Sequence, residues 1–467
     1  MTVRVCLIIP PSPFLLDERV FPSLGVLRVA TSLERSGHEV DVLDLSGVKD
    51  TKNEVARRFF NESPDVIGIT ATTPQMPGVV PIVAAIRDAA PGLRIVLGGP
   101  HATMTHAACR GGKPRADGAM KTLERLFDTI VAGDGEYAIH EAIMPDAPKW
   151  IDADNRKSPL FMADGDDALP ARHLIDLESY RYKIDGHKST SFVGQLGCPF
   201  SCKFCGGRNS PSFRIARKRS VQSVVNEIEM MYETYGYTGF MAYDDELNVN
   251  KELVKLMKEL RRLQDELKVE FAFRGFVKSE LFTAEQAEAM YDAGFRWLLC
   301  GFEAADDRIL SNIKKRATLE DNTRMIDTAR KAGIKVKALM SIGHPGEDHS
   351  TVGSIKDWLI EKKADDFDCT IITPYPGTPY YDDAVQCRDG TWRYTADNGD
   401  NLYQIALDYE KTADYYKGIP GDYRSYVFTD ALGQDDLVRM RDDLENTVRS
   451  TLNLPFAFKP LERTMGQ

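Results

Sequence analysis

Three cysteines stand close together at Cys198, Cys202 and Cys205, in the run Gly197-Cys198-Pro199-Phe200-Ser201-Cys202-Lys203-Phe204-Cys205-Gly206-Gly207. Three residues separate the first pair and two separate the second. So short a loop can turn three thiolates toward one point, and soft thiolate ligands suit an iron–sulfur centre. A tetrahedral zinc site would want a fourth Cys or His at similar range, and none follows. Three ligands on a four-iron cluster leave one iron open for something other than protein. The alternatives are a disulfide with one spare thiol, or three core cysteines clustered by chance.

The other cysteines (Cys6, Cys109, Cys300, Cys369, Cys387) are scattered singly, unlike a secreted disulfide framework. Reduced thiols and an oxygen-sensitive cluster both point to the cytoplasm. A chain of 467 residues, 43% hydrophobic and 28% charged, has the composition of two or three soluble domains. The stretch from Met1 to Pro10 reads as a first strand and not as a signal peptide, and no apolar run approaches membrane-spanning length. A net charge of -11 argues against bulk attraction to nucleic acid. The local run Arg214-Ile215-Ala216-Arg217-Lys218-Arg219 offers a grip for a phosphate or carboxylate, or a solvated rim to the cysteine loop.

Elements must position these residues. Across 1–145, β-rich runs alternate with helical patterns, with strands expected at Val3–Ile9, Glu39–Leu45, Val66–Thr72, Ile95–Gly99 and Thr129–Gly133. Such alternation predicts an α/β domain with a doubly wound, Rossmann- or flavodoxin-like parallel sheet, whose ligand crevice lies at the strand carboxyl ends. There stand Pro10-Pro11-Ser12-Pro13, Thr70 to Gln75 with Thr72 between, Gly98-Gly99-Pro100-His101 and Gly133-Asp134-Gly135-Glu136. Residues 146–190 read as a linker. From 191 to 385 six further strands are expected, at Ser191–Leu196, Gly239–Tyr243, Glu270–Phe276, Trp297–Glu303, Lys335–Ile342 and Phe367–Pro374. Six β/α units are too few for a closed eight-stranded barrel and predict a partial one. Residues 386–467 hold Tyr394, Tyr403, Tyr409, Tyr415, Tyr416, Tyr423 and Tyr426 and a helix near Gln434–Leu452, read as a small, mostly helical cap.

The cysteine loop, set after such a domain, resembles the signature of cobalamin-binding radical S-adenosylmethionine (SAM) enzymes. Leu24-Gly25-Val26-Leu27-Arg28-Val29-Ala30, Gly37-His38-Glu39-Val40, Gly99-Pro100-His101-Ala102-Thr103 and Gly133-Asp134-Gly135-Glu136 match that family's N-terminal domain. The resemblance implies a [4Fe-4S] cluster on Cys198, Cys202 and Cys205, SAM on its open iron, and cobalamin. The corrinoid would lie among Pro10, Thr70, Thr72, Gln75, Gly98, Gly99, His101, Gly133, Gly135 and Glu136. The Asp-x-His-x-x-Gly motif that supplies an axial histidine elsewhere is missing from Phe14-Leu15-Leu16-Asp17-Glu18-Arg19. Cobalt would then carry no protein imidazole below it.

For SAM the resemblance implies Phe204 against the adenine, with Gly206 and Gly207 giving close backbone approach. Asp244 and Asp245, in Tyr243-Asp244-Asp245-Glu246, would receive its ammonium or ribose hydroxyls, or cap the next segment. Arg274 interrupts an apolar strand and should find a carboxylate, either that of SAM or Glu303. Glu303 ends Gly301-Phe302-Glu303 beside SAM, and Gly343-His344-Pro345-Gly346-Glu347 stands where the family has an apolar residue in place of His344. His344 offers a proton donor or a hydrogen-bonding wall, while Pro345 and Gly346 approach the adenosyl group. The implied activity is methylation of an unactivated carbon through a 5′-deoxyadenosyl radical and methylcobalamin. Cyclisation, ring contraction or oxidation with the same cofactors is the runner-up, and a non-catalytic corrinoid carrier lies further off. The expected partners are a small-molecule or peptide substrate and an electron donor such as flavodoxin or ferredoxin.

Overall fold

Runs rich in Val, Ile and Leu form the first sheet: β1 (Arg4–Ile9), β2 (Glu39–Asp44), β3 (Val66–Thr70), β4 (Arg94–Gly98), β5 (Thr129–Gly133) and β6 (Trp150–Ala153). The computed structural model describes residues 2–61, 64–165, 169–415 and 423–456. All six strands are parallel in the order β2-β1-β3-β4-β5-β6. Helices cover both faces, so central strands are apolar throughout: Ile8, Ile67 and Leu97 face one core, Leu7, Val66 and Val96 the other. The order reverses between β1 and β3, the position where such sheets open a ligand crevice. β6 comes from the stretch expected to be linker. It is short and carries Asp152, so no apolar run announced it.

The second sheet holds β7 (Lys183–Ile184), β8 (His187–Phe192), β11 (Gly239–Ala242), β12 (Ala272–Phe276), β13 (Phe295–Glu303), β14 (Lys335–Ile342) and β15 (Asp366–Ile371), with the ribbon β9 (Gln195–Leu196) and β10 (Arg217–Lys218) beside it. Six strands run parallel, and only β7 is antiparallel to its neighbour β8. The expected strand Ser191–Leu196 is thus two pieces, β8 and β9. Phe240, Phe273, Leu298, Val336 and Phe367 pack outward under the helices, whereas Met241, Ala272, Leu299 and Leu339 face inward.

The last strand of this partial barrel would expose unpaired backbone groups. The helix Gln434–Leu452 covers it: Glu445 accepts from Cys369 N at 2.9 Å, and Arg449 donates to the Phe367 carbonyl at 2.5 Å. Tyr423 OH accepts from Ile371 N at 2.7 Å. This helix is joined to a small antiparallel sheet, β16 (Val385–Gln386), β17 (Trp392–Thr395), β18 (Asn401–Gln404) and β19 (Val427–Thr429), which the tyrosine-rich sequence did not announce. Tyr394 packs on Tyr380 with centroids 4.7 Å apart, and Tyr409 bonds the Pro374 carbonyl, so both tyrosines serve packing. Tyr416 lies outside the described residues.

Candidate functional site

The cysteine loop follows β9 and is pinned along its backbone. Cys198 N donates to Phe213 O at 2.9 Å, Lys203 N to Ile313 O at 2.8 Å, and Gly207 N to Gly377 O at 3.1 Å. Side chains at Gly206 and Gly377 would both collide with Met104, which reaches over from the helix Pro100–Arg110. Gly207 has φ +73 and turns tightly against Phe213. The loop is thereby clamped between the two large domains.

All eight cysteines are free thiols, which removes the disulfide reading. Burial pushes the Cys205 thiol up to about 11, and Cys202 and Cys198 push it in the same direction. Among the described residues no three Cys, His, Asp or Glu side chains close on one point as a single metal ion requires. A four-iron cluster makes a different demand, because each thiolate binds its own iron at a separate corner. Three neighbouring soft donors on one clamped loop fit that demand.

Beneath the loop lies a buried polar chain. Lys315 Nζ stands 3.2 Å from Glu303 Oε1, Ser341 Oγ donates to Glu303 Oε2 at 2.7 Å, and His344 Nε2 lies 2.8 Å from the same hydroxyl. His344 Nδ1 is 3.3 Å from Tyr380 OH, and its ring meets Phe204 edge-on at 5.6 Å. Glu303 has φ +66 at a break in the β13–β14 register, rare for a side-chain-bearing residue. A Cβ at Gly301 would strike Glu303 Oε1, so this glycine keeps room for the ion pair. Lys278 pairs with Glu280 at 2.6 Å, donates to Lys315 O at 2.8 Å and lies 4.4 Å from the centre of the Phe200 ring. Burial raises the Glu246 carboxyl to about 7 against the pull of Lys315 and Lys278.

Lys278 and Lys315 were missed in the sequence. The only signal was a Lys314-Lys315-Arg316 run, which ordinarily reads as a solvated face.

Several expected roles change. His344 is fully buried and both ring nitrogens have partners, so burial lowers its pKa to about 3 and the imidazole is neutral. It therefore forms a hydrogen-bonding wall in the structure, and it carries no imidazolium proton. Asp244 Oδ1 accepts from Gly194 N at 2.6 Å and is spent on the β8–β9 turn, with burial raising its carboxyl to about 7. Asp245 opens on the cavity described below. Arg274 sits at the middle of β12, not its end, and bonds Tyr182 OH at 2.9 Å, so it does not pair with Glu303. Pro345 and Gly346 pack on the segment after β13 and on the C-terminal sheet: Pro345 O accepts from Asn312 at 2.8 Å, and a side chain at Gly346 would strike Asp400. The basic run is no surface patch. Arg217 and Arg219 turn inward onto Asp134 and Glu227, Lys218 turns outward to Glu252, and Arg214 donates to Pro199 O at 2.9 Å.

A cavity of about 460 Å³ opens between the domains, at the carboxyl ends of β1, β3, β4 and β5. Its sheet-side wall includes Thr70, Thr72, Gln75, Gly98, Gly99, Gly133, Gly135 and Glu136. Pro10 and His101 stay off that wall. Pro10 lends its carbonyl to Gln75, and the buried His101 ring lies 2.9 Å from Thr73 Oγ1. The barrel side contributes Gln195, Gly197, Ser212, Phe213, Tyr243 and Asp245. Gln195 Nε2 and Ser212 Oγ are buried without a hydrogen-bond partner. Most of the charged groups on the wall are matched within the protein, Arg28 to Glu136 at 3.0 Å and Arg217 to Asp134. An apolar, hydroxyl-lined wall with orphaned donors fits a large ligand edged with neutral amides, as cobalamin is. No histidine lines it among the described residues.

Comparison with known proteins agrees with this geometry. The family model described as the Radical SAM superfamily matches residues 192–359, and that of the B12 binding domain matches residues 18–143. An uncharacterised methyltransferase of Pyrococcus horikoshii is 27% identical over 395 residues, covering 82% of this chain and 83% of its own. The anaerobic magnesium-protoporphyrin IX monomethyl ester cyclase of Cereibacter sphaeroides is 24% identical, covering 77% of this chain and 60% of its own. The radical SAM methyltransferase TsrM of Kitasatospora setae, solved with cobalamin and a [4Fe-4S] cluster, superposes with a TM-score of 0.66 at 19% identity, covering 85% and 82% of the two chains. With both domain models matched in the expected order, the chain joins a B12-binding domain to a radical SAM domain.

Proposed function

We propose that this protein is a cobalamin-dependent radical SAM C-methyltransferase that acts on a small-molecule or peptide substrate. One observation carries the reading. The interdomain cavity and the cysteine loop share a wall, since Gln195, Leu196 and Gly197 line the cavity and Cys198 follows directly. A corrinoid in that cavity and a cluster on that loop would face one space at the barrel mouth. Bound together, cluster, SAM and corrinoid supply electron transfer, hydrogen abstraction and methyl donation.

The chain's own residues hold and enclose. Cys198, Cys202 and Cys205 ligate, Glu303, Lys315 and Glu246 orient the charged ends of SAM, and Phe204 packs its adenine against the His344 wall. Asp245 faces the shared space. The walls exclude water from the reacting atoms. Among the described residues no histidine lines the cavity, so a corrinoid held there by Thr70, Thr72, Gln75 and Gly98 would find no imidazole to ligate it. A flavodoxin or ferredoxin supplies the electron, and the cytoplasm supplies reducing conditions. Among the described residues no helix is long and apolar enough to cross a membrane. Ring closure or oxidation with the same cofactors is the second reading, favoured by the cyclase relative.

The test uses reconstituted enzyme with methyl-labelled SAM and candidate substrates. Label in a new carbon–methyl bond, with 5′-deoxyadenosine, supports the reading. Substrate turnover with 5′-deoxyadenosine but no label transfer selects the second. On the same sample, the cob(II)alamin paramagnetic resonance spectrum should lack axial nitrogen splitting, and clear splitting would sink the ligand-free arrangement.

A further inference from the structure

Arg274 is a cation inside the partial barrel to which no carboxylate is matched among the described residues. Side chains on β12 alternate: Phe273 joins the core beneath the helices, while Ala272 joins Met241 and Leu299 on the inner face. Arg274 shares the face of Ala272. Its Nη1 donates to Tyr182 OH at 2.9 Å, and its buried Nε has no partner. Two neighbouring cations are answered, while the exposed Lys335 lies 5.2 Å from the Trp297 ring centre. Lys337 lies 2.9 Å from Asp366 and 3.2 Å from Asp368, and Lys315 lies 3.2 Å from Glu303. Arg274 is half-buried with its Nε atom shielded from solvent, and a charge so placed is costly unless an opposite charge meets it.

Tyr182 and Trp297 meet the guanidinium, and further rings stand beside Tyr182. Phe21, from the first domain, meets Tyr182 edge-on at 5.2 Å and Tyr243 at 5.5 Å, while the Trp297 ring centre lies 6.0 Å from the Arg274 guanidinium carbon. Tyr243 also lines the interdomain cavity, so this cup adjoins the corrinoid side of the barrel mouth and not the Glu303–Lys315 chain. Tyr182 fixes one side of the guanidinium fork and leaves the Nε side for a planar oxyanion.

We propose that Arg274 receives a carboxylate of the substrate, whose apolar or aromatic body packs against Phe21, Tyr182, Tyr243 and Trp297. This rests on the reading of the barrel mouth as the substrate chamber of a radical SAM enzyme, and it reassigns Arg274 from SAM to substrate. Tyr182 is a positioning residue. It holds the guanidinium and need not touch the ligand.

The test titrates the reconstituted holoenzyme, under anaerobic conditions and by ligand-observed nuclear magnetic resonance, with 3-phenylpropionate and with its neutral amide. Wild type should favour the acid by roughly tenfold or more, the span of one charge-assisted contact. Arg274→Met should abolish that preference, Arg274→Lys should keep part of it, and Tyr182→Phe should weaken it. Iron content, corrinoid content and the SAM dissociation constant should stay at wild-type values in all three. Equal binding of acid and amide to wild type, no binding of the acid, or a preference surviving in Arg274→Met would each overturn the proposal. A tenfold loss of SAM affinity in Arg274→Met would return the residue to SAM. Should Arg274→Met not fold, the lysine and Tyr182→Phe variants still decide the matter. Failure of the methyltransferase reading would show separately, as absent label transfer while the acid preference stands.

Discussion

The interdomain cavity and the polar chain under the cysteine loop differ in where they keep their charges. On the cavity wall Arg28 and Arg217 are neutralised by Glu136 and Asp134, and what faces the space is hydroxyl, amide, glycine and apolar carbon, with Asp245 at the barrel edge. Under the loop, Lys278, Lys315, Glu246 and Glu303 crowd together in near-complete burial. Buried ion networks rarely stabilise a fold relative to an apolar core. Their retention in one region and quenching in the other matches two kinds of ligand. A large corrinoid edged with neutral amides is held by shape, whereas a small, multiply charged molecule such as SAM is held by charge.

The largest expected break between the regions is removal of the three thiols. The Cys198→Ala, Cys202→Ala, Cys205→Ala variant should lose its iron, roughly four per chain in the reconstituted wild type. SAM cleavage should fall to background. Corrinoid should stay, because its wall depends on the first sheet and not on these side chains. Iron retained at the wild-type level would sink the cluster assignment, and parallel loss of corrinoid would show the regions to be one folding unit.

The converse break is Gly98→Val. A Cβ there meets nothing within 4 Å, so the new side chain fills cavity and displaces no protein atom. Valine also suits a strand end. Corrinoid binding should weaken by about 1–3 kcal/mol, roughly five- to 150-fold, while iron and SAM affinity hold. Unchanged corrinoid affinity would move the ligand off this wall.

The regions also differ in how they could be read before folding. Ten of the eleven expected strands, and the cysteine loop itself, stand within a few residues of where local pattern puts them, since apolar runs and cysteine spacing are local properties. Lys278, Lys315, Met104 and Tyr182 reach the candidate site only through neighbours distant in sequence, such as Glu303 beside Lys315 and Gly377 beside Met104. No periodicity carries that. Glycine-rich strand ends told where a crevice opens but not which side chain turns into it, so Pro10 and His101 were placed on a wall that Thr70, Gln75 and Gly98 occupy. The basic run failed for a related reason: alternation along β10 sends Arg217 inward and Lys218 outward.

A final prediction concerns protons. Burial lifts the carboxyl of Glu347 from its ordinary value of 4.5 to about 8, with Asp348 and Asp306 adding to the rise and the Gly343 and His344 amides opposing it. Its Oε2 accepts from both amides, while Oε1 has no partner. The folded protein therefore holds a proton here that the unfolded chain releases above about pH 4.5. This contribution to stability is fully present below that pH. It declines as pH rises and levels off above about 8, with a slope of at most about 1.4 kcal/mol per pH unit. Asp244 and Glu246, raised to about 7, act in the same direction from the same end of the barrel. In the first domain, burial instead lowers the His101 pKa from 6.5 to about 4, so its contribution rises with pH from about 4 and is complete only above about 6.5, opposing Glu347 at the acid end of the range. Glu347→Gln keeps an oxygen for the two amides and removes the titration. Urea midpoints taken from pH 5 to pH 8.5 should fall less steeply in the variant than in wild type. Identical slopes would mean that Glu347 is already ionised in the folded state, with the two amides and not burial setting its charge.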